Sequence, residues 1–365
     1  MTGKSRHRSG KGQSQPRVVT GEVLPPLWLT LWPFGDRPLP AALRASRRAG
    51  LAIAAAVGIA AGAIAAALSG TLSFADAASR RAAALDLRDA PIVAPNAAGK
   101  DGAGRSAAIE RLLSAGAPER FDGDLVPSRR APPRIVVVFD DVGIDRRGFD
   151  TLMALPGPLT LSFLPYANEV QAMADAARAR GHAILLHLPM EPSGGADPGP
   201  GALTASMSNS ELFAALGANL AQFDGYSGVN NHMGSKLTRD EQAMKRILAF
   251  LDSRALFFLD SLTTGKSVAS AAGNAVGAEV LVRDLFLDAE PGRQAVRRQL
   301  ALAEKIAAET GYVIAIAHPR ADTLAEIGPW LTSAPARGFR LETITGLRGA
   351  RSGAYAANAA DARLR

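Results

Sequence analysis

The stretch that decides the fold is RIVVVFDD, residues 134–141. Residues 135–139 are apolar and mostly β-branched, which is typical of a strand covered on both faces. Asp140 and Asp141 follow directly, so two carboxylates lie side by side at the end of a buried segment. Neighbouring anions repel each other and lose hydration in such a place. The pattern predicts a central strand that leads into a site with a positive counter-charge.

Candidate strands and helices alternate after residue 133. Apolar runs predict seven strands, at 135–139, 159–163, 183–187, 228–230, 256–259, 279–282 and 312–317. Helical periodicity lies between them, at 169–180, 211–222, 240–253 and 294–309. Capping-box patterns at 208–211 and 238–241 predict two helix starts. This alternation predicts an α/β domain with a parallel, (β/α)-barrel-like sheet.

The N-terminal part carries a candidate membrane span. Residues 49–75 contain no charged side chain and are long enough to cross a bilayer. Arg44, Arg47 and Arg48 precede them, so the positive-inside rule predicts that residues 1–48 stay in the cytoplasm. We predict a single-pass anchor in the inner (cytoplasmic) membrane, with the rest of the chain on the periplasmic side. A cleaved signal peptide and a buried Ala-rich helix are the alternatives.

Composition divides the remainder of the chain. Residues 76–132 are rich in Ala, Arg, Pro and Gly, a composition that predicts a disordered linker. A short helix near 107–115 is compatible with the sequence of this linker. The folded domain is predicted over 133–350, and a disordered tail over 351–365.

Charge and cysteine content exclude two classes of function. Of 41 Lys and Arg and 34 Asp and Glu, nine and two lie in residues 1–48, so 32 of each remain in the rest of the chain. A neutral main domain argues against a nucleic-acid partner. Cysteine is absent, so thiolate chemistry is excluded and a metal must be held by His, Asp or Glu.

Polar side chains follow the predicted strands at the point where each ends. They include Asp140 and Asp141, His187 and Glu191, Asn230, Asn231 and His232, Asp260 and Ser261, Arg283 and Asp284, and His318. Taken singly, each is compatible with a helix cap, a turn or a hydrogen-bonded residue of the interior. Because the carboxyl ends of parallel strands share one face, a common polar pocket explains the whole set more simply.

A divalent cation would make the Asp pair tolerable. One carboxylate and two neutral imidazoles form a suitable ligand set, for which zinc is the default and ferrous iron, cobalt or nickel also fit. Asp141 would be the ligand, and Asp140 would take a proton from water whose pKa the cation lowers towards ~7. Arg283 would neutralise a carboxylate or clamp an anionic intermediate. Since adjacent strand residues face opposite ways, we expect the strand to end here, with Gly143 permitting the turn.

These motifs resemble those of the polysaccharide deacetylases, and more closely those of their divergent branch. The divergent branch has the same order of DD, FLPYA, HLPMEP, NNHMGS, FFLDS, RD-FLD and AHP, here over roughly residues 134–347. The resemblance implies a (β/α)-barrel-like fold. It also implies a metal-dependent hydrolase that removes acetyl groups from an N-acetylated polysaccharide or peptidoglycan-like glycan.

The resemblance also implies roles for single residues. Asp140 would be the general base, Asp141 a metal ligand and His318 the general acid. His187 of GHAILLH would be the second ligand, but Glu191 stands where the family has its next His.

The third ligand is therefore either Glu191 or His232. We favour His232, because a neutral imidazole keeps the charge of the site low. Glu191, Asn231, Asp260 and Arg283 are then the predicted substrate contacts. A glycan-binding envelope protein that uses the same cleft without turnover is the alternative function.

Overall fold

The computed structural model of the chain describes residues 102–118 and 131–351. The predicted cytoplasmic tail, membrane span and C-terminal tail lie outside these residues, apart from Arg351, as does much of the predicted linker. Within the described ranges, no helix is long and apolar enough to cross a membrane.

The described residues form nine strands and eight α-helices. The strands are β1 (Arg134–Val142), β2 (Thr160–Phe163), β3 (Ala183–Met190), β4 (Gly228–Met233), β5 (Phe257–Asp260), β6 (Val280–Val282), β7 (Leu285–Phe286), β8 (Tyr312–Ala317) and β9 (Arg340–Glu342). The helices are α1 (Gly102–Ser114), α2 (Arg146–Ala154), α3 (Val170–Ala179), α4 (Asn209–Leu220), α5 (Glu241–Asp252), α6 (Ala269–Val276), α7 (Arg293–Thr310) and α8 (Ala321–Ser333). Short 3₁₀ helices occur at Leu237–Arg239 and Pro335–Arg337.

All strand pairs are parallel, and the sheet curls into a barrel-like shape. Its order is β6-β5-β4-β3-β2-β1-β8-β7, with β9 on the first residues of β1. The two outermost strands, β6 and β7, are separated by only Arg283 and Asp284. Three residue steps span at most ~10 Å, so the two edges of the sheet must come together. The backbone N–H of Arg283 bonds to Asp260 on β5, and that of Asp284 to Ile314 on β8.

β1 is covered on both of its faces. Ile135, Val137 and Phe139 belong to the large core between sheet and helices. Val136 and Val138 belong to a second core, formed mainly by strand residues. That second core fills the interior of the curl, and the site described below lies at its carboxyl end.

The predicted parallel, barrel-like α/β fold is confirmed, although the described residues form nine strands where seven were predicted. β7 and β9 have two and three residues, too few for a recognisable apolar run. The predicted capping box at 208–211 is confirmed, since Ser208 and Glu211 satisfy each other's backbone N–H. The one at 238–241 is wrong, because Asp240 caps α5 and the Thr238 hydroxyl donates to Gly234 O.

Helix α1 lies within the predicted linker but packs on the folded domain. Ile109 and Leu112 are buried in the large core. The Arg105 guanidinium donates to both carboxylate oxygens of Asp284, at 2.8 and 2.7 Å, and to Tyr312 O at 2.8 Å. This buried ion pair fixes α1 beside the junction of β6 and β7.

Candidate active site

A bulge in β1 brings both neighbouring carboxylates to the same site. The strand does not end at Asp140, as the sequence led us to expect, but continues to Val142 with an irregular register between Phe139 and Val142. Asp141 has φ 58°, in the left-handed region that Asp tolerates better than most residues. In an unbroken strand the side chains of Asp140 and Asp141 would point to opposite faces of the sheet. This local reversal of the backbone turns Asp141 to the same face as Asp140.

Two histidines from neighbouring strands face Asp141. His187 lies on β3 and His232 on β4, two residues further along in register, with ring centroids 4.9 Å apart. Asp141 Oδ1 is 3.3 Å from His187 Nε2 and 2.9 Å from His232 Nδ1. One ligand atom from each of the three side chains lies within 4.8 Å of the other two. The group could therefore hold a metal ion.

The electrostatics of Asp141 fit that interpretation. Its Oδ1 is buried and accepts no hydrogen bond of acceptable geometry from any described residue. Burial raises the pKa of Asp141, but the neighbouring His232 and His187 outweigh it and hold the pKa well below its ordinary value. An ionised carboxylate without a donor, facing two imidazole nitrogens, is the donor set of a divalent N/O metal site.

Asp140 has a different environment, held by neutral donors. Asn230 Nδ2 donates to Asp140 Oδ1 at 2.7 Å, and the Ser261 hydroxyl donates to Oδ2 at 3.3 Å. His187 Nε2 is 3.7 Å from Oδ2. Burial raises the pKa of Asp140, against the lowering effect of His187, His318 and Asn230. The two adjacent carboxyl groups therefore have pKa values shifted in opposite directions, which suits one for holding a cation and the other for accepting a proton.

His318 directly follows β8, and Asp288 contacts both its ring and its backbone. Asp288 Oδ1 is 2.9 Å from His318 Nδ1, and Oδ2 accepts from the backbone N–H of His318 at 2.8 Å. The Thr323 hydroxyl donates to the same Oδ2 at 2.8 Å. Burial raises the pKa of Asp288, but His318 and Arg320 outweigh it and lower the pKa. The imidazole is thus fixed in orientation by an ionised carboxylate.

These groups line one narrow cavity. Its lining consists of Asp140, Asp141, His187, Asn231, His232, Met233, Ser261, Thr263, Phe286 and His318. The predicted base, acid and metal ligands are therefore brought together at the carboxyl end of the sheet.

Comparison with known proteins shows which family the chain belongs to. The sequence profile of the divergent polysaccharide deacetylases matches residues 137–347. The chain belongs to this family. It is 34% identical over 205 residues to an uncharacterized protein of Haemophilus influenzae, a match that covers 56% of this chain and 73% of that protein. It is 31% identical over 191 residues to the uncharacterized protein YibQ of Escherichia coli, covering 52% of this chain and 60% of YibQ.

A solved structure is also similar. The crystal structure of the uncharacterized protein ATU2773 from Agrobacterium tumefaciens superposes with a TM-score of 0.58 at 26% identity. The match covers 71% of this chain and 99% of that protein.

Three of the four predicted substrate contacts of this deacetylase-family chain do not line the cavity. The Glu191 carboxylate pairs with Lys236 Nζ at 2.6 Å and accepts the backbone N–H of Ala205 at 3.0 Å. Burial raises its pKa, but Lys236 and the backbone N–H of Ala205 outweigh it and lower the pKa. Glu191 thus joins two loops beside β3 and lies outside the group that could hold a metal.

Asp260 and Arg283 are buried supports of the segment that follows β5. Arg283 donates from Nε to Ser261 O at 2.6 Å and from a terminal nitrogen to Leu262 O at 2.8 Å. Burial lowers its pKa to about 9. Asp260 accepts the backbone N–H of Leu262 at 2.8 Å, and burial raises its pKa. Asn231, the fourth predicted contact, does line the cavity.

Two residues that organise this family member's site were given no role in the sequence analysis. Asp288 follows the two-residue strand β7, and its signal was the second Asp of RDLFLD. Asn230 precedes the cavity-lining Asn231 and His232, and resembled a turn residue. The alternation of side chains along β4 was the available signal, since Asn230 and His232 must share a face.

Proposed function

We propose that the chain is a metal-dependent hydrolase that removes acetyl groups from an N-acetylated envelope glycan. The observation that carries this proposal is the convergence of Asp141, His187 and His232 beside the buried Asp140 and in one cavity with His318. Membership of the polysaccharide deacetylase family supports hydrolysis of an acetamide.

Each residue has a definite task in such a reaction. Asp141, His187 and His232 would hold a divalent cation, which would polarise the acetyl carbonyl and acidify water. Asp140 accepts the proton of the attacking water, and Asn230 and Ser261 keep its carboxylate in place.

His318 gives a proton to the amine nitrogen as the C–N bond breaks. A positioned acid or base of this kind contributes about 10²- to 10⁴-fold to the rate.

The cavity is too small for a sugar ring, so only a small part of a glycan would enter it. Its volume is about 20 Å³, and one water-sized group needs ~10–15 Å³ on the same measure. A sugar ring would remain at the mouth, where it contacts the surrounding loops. Together with membership of the polysaccharide deacetylase family, this supports a glycan whose acetamido group projects from the ring.

The decisive experiment measures acetate release by the purified full-length chain. The zinc-loaded chain is incubated with N-acetylglucosamine oligomers and with peptidoglycan. We expect acetate release from the wild type and a loss of at least ~100-fold in Asp140→Asn, because the amide cannot accept the proton.

The matched control is Asp175→Asn, the same chemical change at an exposed position on α3. Equal rates for Asp140→Asn and the wild type would refute the role of the base. Glycan binding without acetate release at full zinc occupancy would instead favour a non-catalytic glycan-binding protein.

We also propose that residues 49–75 anchor the chain in the inner membrane, with the deacetylase-like domain on the periplasmic side. The uncharged stretch and the preceding arginines support this location. Protease added to intact spheroplasts should remove the domain and spare the N-terminal tail. Protection of the domain until the cells are lysed would contradict it.

A further inference from the structure

Asn230 connects the predicted base to a predicted metal ligand. Its side chain is fully buried and is not part of the cavity lining, so it is not open to a substrate in the cavity. Its Nδ2 donates to Asp140 Oδ1 at 2.7 Å and to Ser261 Oγ at 3.1 Å. Its Oδ1 lies 2.9 Å from His187 Nδ1 and also accepts a hydrogen bond from the Ser162 hydroxyl.

The direction of the amide follows from its neighbours. The NH₂ group of Asn230 faces Asp140 and Ser261, and its oxygen, which can only accept hydrogen bonds, faces His187 and Ser162. His187 Nδ1 must then carry a proton. The other ring nitrogen, Nε2, keeps its lone pair and faces Asp141 Oδ1 at 3.3 Å. A metal ligand needs that lone pair, and the partner of the other nitrogen sets which tautomer is present.

We infer that Asn230 is a positioning residue with two simultaneous effects. Its oxygen keeps His187 in the tautomer that can bind a metal ion, and its NH₂ group aims the Asp140 carboxylate. The second effect rests on the proposed hydrolase function, whereas the first concerns metal binding alone. One amide thereby links the metal centre to the proton acceptor.

Two substitutions separate these effects. Asn230→Asp keeps an oxygen acceptor for His187 but replaces the donor beside Asp140 with a second carboxyl group. We expect zinc affinity within about 3-fold of the wild type, while acetate release falls at least ~100-fold.

Asn230→Leu removes both contacts at similar volume. We expect its zinc affinity to fall about 10- to 100-fold.

The measurement is zinc affinity, obtained by chelator competition on the metal-free full-length chain. Asn219→Leu is the matched control, since Asn219 is also buried and donates two hydrogen bonds, to Gly201 O and Ala215 O, outside the site. This control should bind zinc like the wild type. Urea unfolding of each variant shows whether the fold is retained.

Each result decides the inference. Wild-type zinc affinity in Asn230→Leu overturns it, as does a loss in Asn230→Asp as large as the loss in Asn230→Leu. If Asn230→Leu does not fold, Asn230→Asp alone decides, because retained zinc affinity supports the inference and a 10-fold loss overturns it. If the wild type releases no acetate while the zinc affinities follow this pattern, the proposed hydrolase fails and the role of Asn230 in metal binding stands.

Discussion

Replacing Asp288 by Asn tests how Asp288 supports His318, the proposed general acid. In the wild type, Asp288 Oδ2 accepts from the backbone N–H of His318 and from the Thr323 hydroxyl, while Oδ1 faces His318 Nδ1. Because the backbone N–H cannot turn away, the amide oxygen of Asn must take the Oδ2 position. The new NH₂ group then faces His318 Nδ1. If Nδ1 carries a proton, two hydrogen-bond donors face each other and the hydrogen bond is lost.

The size of the effect follows from the contact that is lost. A hydrogen bond to a charged group contributes about 1.5–3 kcal/mol. Since each 1.36 kcal/mol is a factor of ten in rate, kcat should fall about 10- to 150-fold. Asp288 is not part of the cavity lining, so KM and zinc affinity should stay unchanged.

The assay is steady-state acetate release by zinc-loaded Asp288→Asn, with zinc affinity measured on the same preparation. Thr323→Val serves as control, since it removes one donor from the same carboxylate but leaves the contact with the His318 ring. We expect less than ~3-fold loss of kcat from that variant, because Asp288 keeps both of its contacts with His318, to the ring and to the backbone N–H. The reasoning is refuted if Asp288→Asn keeps its kcat, or if the whole loss appears in KM.

Three further predictions concern stability and metal binding. Arg105→Met should lower the free energy of unfolding in urea by about 3–5 kcal/mol, because Asp284 stays buried without its cation. Arg111→Met, at an exposed ion pair, should lower it by less than ~1 kcal/mol, and equal losses would contradict the reasoning. Asp141→Asn should weaken zinc binding at least ~100-fold in chelator competition, and a loss below ~3-fold would exclude Asp141 as a ligand. The pKa of Asp288 is lower in the folded chain than in the unfolded chain, so ionised Asp288 stabilises the fold at pH values above ~4, the ordinary pKa of an aspartate. The difference in unfolding free energy between wild type and Asp288→Asn should therefore shrink by about 1 kcal/mol from pH 5 to pH 3, and a constant difference would contradict it.

The fold was predictable because its signal is repeated along the chain. Strands covered on both faces are apolar without interruption, and β1, β3 and β8 are buried over almost their whole length. Helix ends depend on single side chains, so they were predicted less well. At α5 the helix is capped by Asp240, two residues after Thr238, at which the predicted capping box begins, and only the geometry shows this.

The polar supports of the site were harder to predict than the groups that line it. Asp140, His187 and His318 stand at the ends of recognisable strands. Asp288 follows a strand of two residues, and a buried Asn such as Asn230 has the same local signature as a turn. Their partners are distant in the chain, since Asn230 meets a carboxylate 90 residues earlier. Such pairings depend on the register of the sheet, which a single sequence does not specify.

The backbone itself is unusual where the site is built. Asp141, Met233 and Leu262 have φ values of 58°, 52° and 49°, and they lie at the ends of β1, β4 and β5. Each such conformation costs a non-glycine residue roughly 1–2 kcal/mol. In each case the reversal lies within one residue of a cavity-lining side chain, so it changes where that side chain points.

Hydrogen bonds from predicted site residues hold two of these reversals in place. Asn231 Nδ2 donates to Met233 O at 2.7 Å. Arg283 donates to Leu262 O at 2.8 Å, and Asp260 accepts the backbone N–H of Leu262 at 2.8 Å. Polar residues therefore recur at these strand ends for two distinct reasons. Some side chains line the cavity, and some stabilise the left-handed backbone that directs the lining side chains into it. A sequence pattern alone cannot separate these roles, since both need buried polar side chains at the same end of the sheet.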